Sequence, residues 1–213
     1  MNIQLNKVVP APLEEVEFSQ NSIWNSTFML EKGEKVLLNA TSGKGKTTFA
    51  FLLAGLRKDY SGEITFDGQN SKNFSLEEWA IMRAQKLSFV FQDLQLFGEL
   101  TVAENLQLKN QLTSTFTEEE IKAMVNQLGI GDKWQSTSNT LSMGQQQRVA
   151  IIRALCQPFD WLIMDEPFSH LDENNILLAK ELIEQVVAKQ NAGLVMTALG
   201  KSEVFKFTKE LFL

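Results

Sequence analysis

An α/β fold built around a mostly parallel sheet is what this 213-residue chain predicts, and three observations carry the prediction. Short apolar segments of strand length alternate with amphipathic segments of helix length. One apolar segment, Lys35–Asn39, passes through a turn with a serine and two glycines straight into a helical pattern. Another, Trp161–Asp165, ends on the adjacent carboxylates Asp165 and Glu166. Packing does not reward that placement, because a buried acid is costly unless it is paired.

The elements follow in order. Lys35–Asn39 (KVLLN) reads as a strand, Thr41–Gly45 as a turn and Lys46–Leu56 as a helix. Glu63–Phe66 is a short strand that stops at Asp67-Gly68, a hairpin signal. Leu87–Phe91 (LSFVF) and Trp161–Asp165 (WLIMD) read as buried strands, and Leu194–Thr197 as a further one. From Leu94 to Leu155 the pattern is nearly all helical. Capping boxes at Ser75/Glu78, Thr101/Glu104 and Thr117/Glu120 open three helices, and the run Glu118–Glu120 reads as a solvated first turn. A long helix runs from Gln145 to Cys156. With no repeat, low-complexity tract or long linker in view, the middle of the chain is a helical lobe inserted between strands.

Composition narrows the function. The chain is 44% hydrophobic and 22% charged, as ordinary globular proteins are. Its net charge of −6 sets a general electrostatic grip on nucleic acid at a disadvantage. The four tryptophans are not interleaved with basic residues, so no nucleic-acid partner is expected. A single cysteine, Cys156, excludes an intrachain disulfide and suits a reducing compartment; on an apolar helix it reads as a buried, inert thiol. The stretch Met1 to Phe18 carries three glutamates and no long apolar run, so it does not read as a secretory signal. The longest apolar run, Phe49–Leu56, falls far short of the roughly 20 residues that cross a bilayer.

Ala40–Thr48 (ATSGKGKTT) follows a strand and opens a helix, as a phosphate-binding loop requires. Backbone N–H groups of Ala40, Thr41, Ser42, Gly43, Lys44 and Gly45 would face the phosphates, and the helix N-terminus through Thr48 adds favourable potential. Gly43 and Gly45 permit the tight path. Lys46 would reach the β- and γ-phosphates and the Thr47 hydroxyl would bind Mg²⁺. The pattern G-x-x-x-x-G-K-[ST] asks for glycine where this chain has Ala40; the surviving G-K-T also suits a plain strand–helix turn with a surface lysine. In WLIMDEP, Asp165 would orient water or hold Mg²⁺ near Thr47, and Glu166 could polarise the attacking water as general base; the alternative is a strand exit with exposed acids. Leu141–Arg148 (LSMGQQQR) opens a helix with Ser142 and Gly144, a second anion site or an ordinary N-cap. Gln92 follows LSFVF and could contact Mg²⁺ or the nucleophilic water, or be a polar exit residue.

In this order, these segments resemble the ATP-binding cassette ATPases. ATSGKGKTT resembles their Walker A, Gln92 their Q-loop, LSMGQ their signature, WLIMDE their Walker B with its catalytic Glu, and Ser169–Asp172 (SHLD) their D-loop. The match runs from Lys35 to Thr197. The resemblance implies a P-loop NTPase with a RecA-like core sheet, an N-terminal antiparallel β subdomain and an inserted helical subdomain. The division would be 1–92 (β subdomain and P-loop part of the core), 93–155 (helical subdomain) and 156–213 (rest of the core), all in one cassette domain. It implies a head-to-tail dimer around ATP and Mg²⁺, in which Lys46, Gln92 and Glu166 serve catalysis and Thr47, Gln92 and Asp165 hold the metal. Ser142, Gly144 and Gln145 would bind the γ-phosphate across the dimer, and Asp172 would sit at its seam. It further implies a second ATPase subunit, a membrane-spanning permease whose cytoplasmic helix enters a groove near Gln92–Leu100, and a place on the cytoplasmic face of the membrane. The short chain resembles compact exporter and lipoprotein-release cassettes. A soluble, ATP-gated dimerisation switch, or a degenerate non-hydrolysing cassette not involved in transport, is the competing reading. The interval Thr48–Leu141 leaves no room for the coiled coils of DNA-repair relatives, and LSMGQ argues against a P-loop kinase.

The chain departs from the family at the switch. Val195 to Gly200 reads VMTALG, with Ala198 where the family has histidine. The one histidine, His170, lies in the D-loop. Alanine cannot hold water or phosphate, so ATP binding is expected to survive and hydrolysis to be slow. Ala40 and Met143 add bulk beside a phosphate path. The adenine-stacking aromatic is Phe18 or, second, Trp24; either also suits the core.

Overall fold

The computed structural model describes residues 1–39, 43–199 and 203–213, so Ala40, Thr41 and Ser42 of the predicted cradle, and Gly200, lie outside the described residues. The chain opens with β1 (Ile3–Pro10), β2 (Thr27–Leu30) and β3 (Lys35–Asn39), then α1 (Lys46–Leu53), β4 (Tyr60–Phe66) and β5 (Gln69–Asn70). There follow α2 (Leu76–Ile81), β6 (Leu87–Val90), α3 (Val102–Asn110), α4 (Glu118–Gln127) and α5 (Met143–Leu155). The chain closes with β7 (Trp161–Asp165), α6 (Glu173–Gln190), β8 (Gly193–Ala198) and β9 (Lys209–Phe212).

Two sheets result. An antiparallel sheet has the order β2-β1-β4-β5, and a five-stranded sheet has the order β6-β7-β8-β3-β9 with every pair parallel. The strands β1, β2, β5 and β9 were not among the predicted ones, and β4 starts at Tyr60 instead of Glu63. The early part of β4 pairs with β1 around a register shift between Asn6 and Val9. There Gly62, at φ +78°, passes so close to Lys7 that a Cβ would lie 2.3 Å from its carbonyl oxygen. Helix α1 ends at Leu53, three residues short of the predicted Leu56. Gly55 takes φ +67° against the Trp79 ring and turns the chain away.

Parity along the central strands fixes what faces the site. Side chains of a strand alternate between faces, and a parallel sheet buries both. In β7, Trp161 and Ile163 join the core shared with α1 and the antiparallel sheet, while Leu162 and Met164 join the core shared with α5 and α6. The same alternation places Asp165 on the α1 face. In β8, Val195 faces α1 and Met196 faces away, so Thr197 falls on the α1 face and Ala198 on the other. All three predicted capping boxes form, and a fourth joins Ser142 and Gln145 at the start of α5.

Candidate nucleotide site at the end of the parallel sheet

The first turn of α1 and the end of β7 meet as parity requires. The Thr47 hydroxyl donates to Asp165 Oδ2 at 2.6 Å, and the Thr197 hydroxyl donates to Asp165 Oδ1 at 2.6 Å. Asp165 is 0% exposed, so these hydroxyls stand in for the water a buried carboxylate loses. Asp165 and Thr197 are paired in register across β7 and β8. Beside them Lys46 Nζ lies 3.1 Å from Glu166 Oε1, with side-chain exposures of 8% and 18%. Glu166 adopts a left-handed φ of 48°, and its N–H donates to Thr197 Oγ1 at 3.1 Å. Lys46, Thr47, Asp165 and Glu166, four residues named from sequence, thus form one cluster. Thr197, which supports both acids, was not singled out.

On the other side of the turn, a cavity of about 290 Å³ is lined by Phe18, Ser19, Ser22, Trp24, Gly43 and Lys44, among others. Trp24 is 2% exposed, donates from Nε1 to Lys44 O at 3.2 Å and meets Phe49 edge-on. It backs the turn from the core side. Phe18 is half-buried at the cavity wall.

Gln92 stands exposed just beyond β6. The segment after it is held from α5: Arg153 donates to the carbonyls of Leu94 and Gln95 at 2.8 and 2.7 Å, across two successive left-handed residues. Burial pushes the Arg153 guanidinium down to about 10.

Ser142 and Gln145 bond each other, Ser142 N–H to Gln145 Oε1 at 2.9 Å and Gln145 N–H to Ser142 Oγ at 3.3 Å. Gly144 lies against the SHLD segment, where a Cβ would come 2.8 Å from His170 O. Asp172 caps α6; the N–H of Asn175, then its side-chain amide, hold the carboxyl below the usual range. The structure therefore joins the LSMGQ turn to SHLD within the chain. Gln147 makes that junction and was missed from sequence, since only its phase on α5 separates it from Gln145 and Gln146. Ala198 ends β8 at the wall of a cavity of about 320 Å³ shared with Glu166, Phe168, Ser169 and Thr197.

Comparison with known proteins identifies the family. The family model described as ABC transporter matches residues 23–169. The lipoprotein-releasing system ATP-binding protein LolD of Buchnera aphidicola subsp. Acyrthosiphon pisum is 30% identical over 197 residues, covering 91% of this chain and 85% of that protein. The macrolide export ATP-binding/permease protein MacB of Aggregatibacter actinomycetemcomitans is 32% identical over 171 residues, 79% of this chain, and this chain spans only 27% of that protein's length. Among solved structures, the dimeric post-hydrolysis state of the ATP-binding cassette MJ0796, bound to ADP and Pi, superposes with a TM-score of 0.79 at 25% identity, covering 95% of this chain and 89% of that one. With motif order, sheet topology and these likenesses in agreement, the chain belongs to the ABC transporter family, as one of its ATP-binding cassettes.

Proposed function

We propose that this chain binds ATP with Mg²⁺ at the turn before α1, closes as a dimer around it, and drives a separate membrane-spanning permease from the cytoplasmic face of the membrane. The observation that carries the reading is the convergence of Lys46 and Thr47 with Asp165 and Glu166. An ammonium and a helix N-terminus suit phosphate, and adjacent acids supply metal contact and a base. The donor set fits magnesium: a threonine hydroxyl and a carboxylate are hard oxygen ligands, and Mg²⁺ keeps water and phosphate for the rest of its shell. When bound, the ion would neutralise charge on the β- and γ-oxygens.

The chain's own groups take the remaining roles. Lys46 grips the terminal phosphates, Glu166 accepts a proton from the attacking water, Gln92 senses the site from the lobe hinge, and Phe18 stacks on adenine. Ala40 to Gly45 and Thr48 supply the cradle. Ser142, Gly144, Gln145 and Asp172 act across the dimer. Turnover is slow because Ala198 brings no polar group to the water. The lobe 93–155 moves between the segments 1–92 and 156–213, and the stretch Gln92–Leu100, where Phe97 is 59% exposed, receives the permease. No helix among the described residues is long and apolar enough to cross a membrane. LolD and MacB are by name parts of lipoprotein-release and macrolide-export systems, which favours an export-type partner.

Calorimetry with MgATP, run beside light scattering, tests the core of this. Uptake that Lys46→Met abolishes, with dimerisation on uptake, is expected. No heat at millimolar nucleotide would overturn it.

A further inference from the structure

We infer that Gln147 is a positioning residue that ties Glu166 to helix α5 within one chain. The inference rests on the reading of Glu166 as the base of an ATPase and adds the device that holds it there.

A non-glycine residue at φ 48° persists only where its surroundings hold it. Both peptide groups of Glu166 are held by side chains, and from different elements. Its N–H donates to Thr197 Oγ1 on β8, and its carbonyl accepts from Gln147 Nε2 on α5 at 3.4 Å. The same Nε2 donates to Ser169 Oγ at 3.3 Å, and Gln147 Oε1 accepts the His170 N–H at 2.9 Å. Gln147 is 1% exposed, and both its amide atoms are bonded into the segment 166–170. One turn earlier Gly144 lies against His170 O with no room for a Cβ. The first turns of α5 and the segment 166–170 are thus one mechanical unit. Any displacement of α5 moves the backbone of Glu166, while the Glu166 carboxylate is held by Lys46 from the other side. A residue present only to fill space would not need this bonding; an apolar side chain of the same volume would serve.

The test compares Gln147→Met, which keeps volume and loses every bond, with Gln147→Glu, which keeps an acceptor for the His170 N–H and loses the donor to the Glu166 carbonyl. MgATP turnover and amide exchange over residues 166–172 are read on the whole chain. For Gln147→Met, kcat is expected to fall about tenfold or more with KM within about twofold, and the His170 amide to exchange roughly tenfold faster. For Gln147→Glu, kcat is expected to fall as far while His170 stays protected. Wild-type kcat in a folded Gln147→Met, or a loss carried by KM alone, would overturn the inference. So would a Gln147→Glu protein with full turnover, which also serves as the deciding variant should Gln147→Met not fold. If the wild-type chain shows no turnover, the ATPase reading fails by itself. Exchange then decides the tie, and unchanged exchange over 166–172 in Gln147→Met would sink it.

Discussion

Lys46 Nζ and Glu166 Oε1 are 3.1 Å apart, so the amine proposed to grip phosphate and the carboxylate proposed to act on water are ion-pair partners. A γ-phosphate and Glu166 would then compete for the same ammonium. Glu166→Gln removes the charge and leaves the shape. Calorimetry should show MgATP affinity rising by about three- to tenfold, because a charge-assisted bond no longer opposes binding, while turnover collapses and the nucleotide-free protein melts lower. Unchanged or weaker affinity would mean that the pair does not gate the site.

Ala198 is the second point of leverage. It closes a strand beside a cavity of about 320 Å³ that Glu166 and Ser169 also line. An imidazole placed there has space in a mostly apolar cavity whose lining includes Glu166, Ser169 and Thr197. Ala198→His should raise MgATP turnover by about tenfold or more, within the range positioned acid–base groups supply. A rate no higher than the parent's would show that the missing switch is not what limits hydrolysis.

Gly144 is constrained by contact, since its Cβ would meet the His170 carbonyl oxygen at 2.8 Å. Gly144→Ala should cost about 1–3 kcal/mol in denaturant unfolding, the usual range for overpacking, and should weaken nucleotide-driven dimerisation. Gly98→Ala is the control, because its Cβ would meet nothing nearer than 3.5 Å and should leave stability nearly unchanged.

Cys156 tests the buried core of α5. Burial pushes its thiol up to about 12, so the native protein should resist alkylation at pH 8 and react fully in urea. The folded value lies above the unfolded one. The thiol's contribution to stability is therefore complete below about pH 9 and is lost as pH rises towards 12. Alkaline denaturation curves of Cys156→Ala should fall less steeply over that window.

Much of this site was legible because it is local. The strand–turn–helix around Gly43 and Lys46 and the acids closing WLIMD occupy contiguous residues, and strand parity carries Asp165 to Thr47. The resemblance implied an N-terminal antiparallel sheet, and it is present, but the strands β1, β2 and β9 were not legible in the pattern for a physical reason. The alternation of β1 breaks at Lys7, which takes φ 51°, and β2 and β9 are four-residue strands with half-exposed faces. Phe18 and Trp24 are equivalent as letters, and only burial separates the cavity wall from the core. The run Gln145–Gln147 was opaque in the same way. Gln145 caps its helix, Gln146 bonds back to Leu141 O, and Gln147 turns inward to the acids.

One hydroxyl, on Thr197, donates to Asp165 and accepts from the peptide of Glu166. Both acids are thus gauged against the strand beside them, and sliding β8 along β7 by a single residue would spoil both at once. Mutational tolerance should therefore fall off a cliff at this central seam, where a single hydroxyl sets the two acids together.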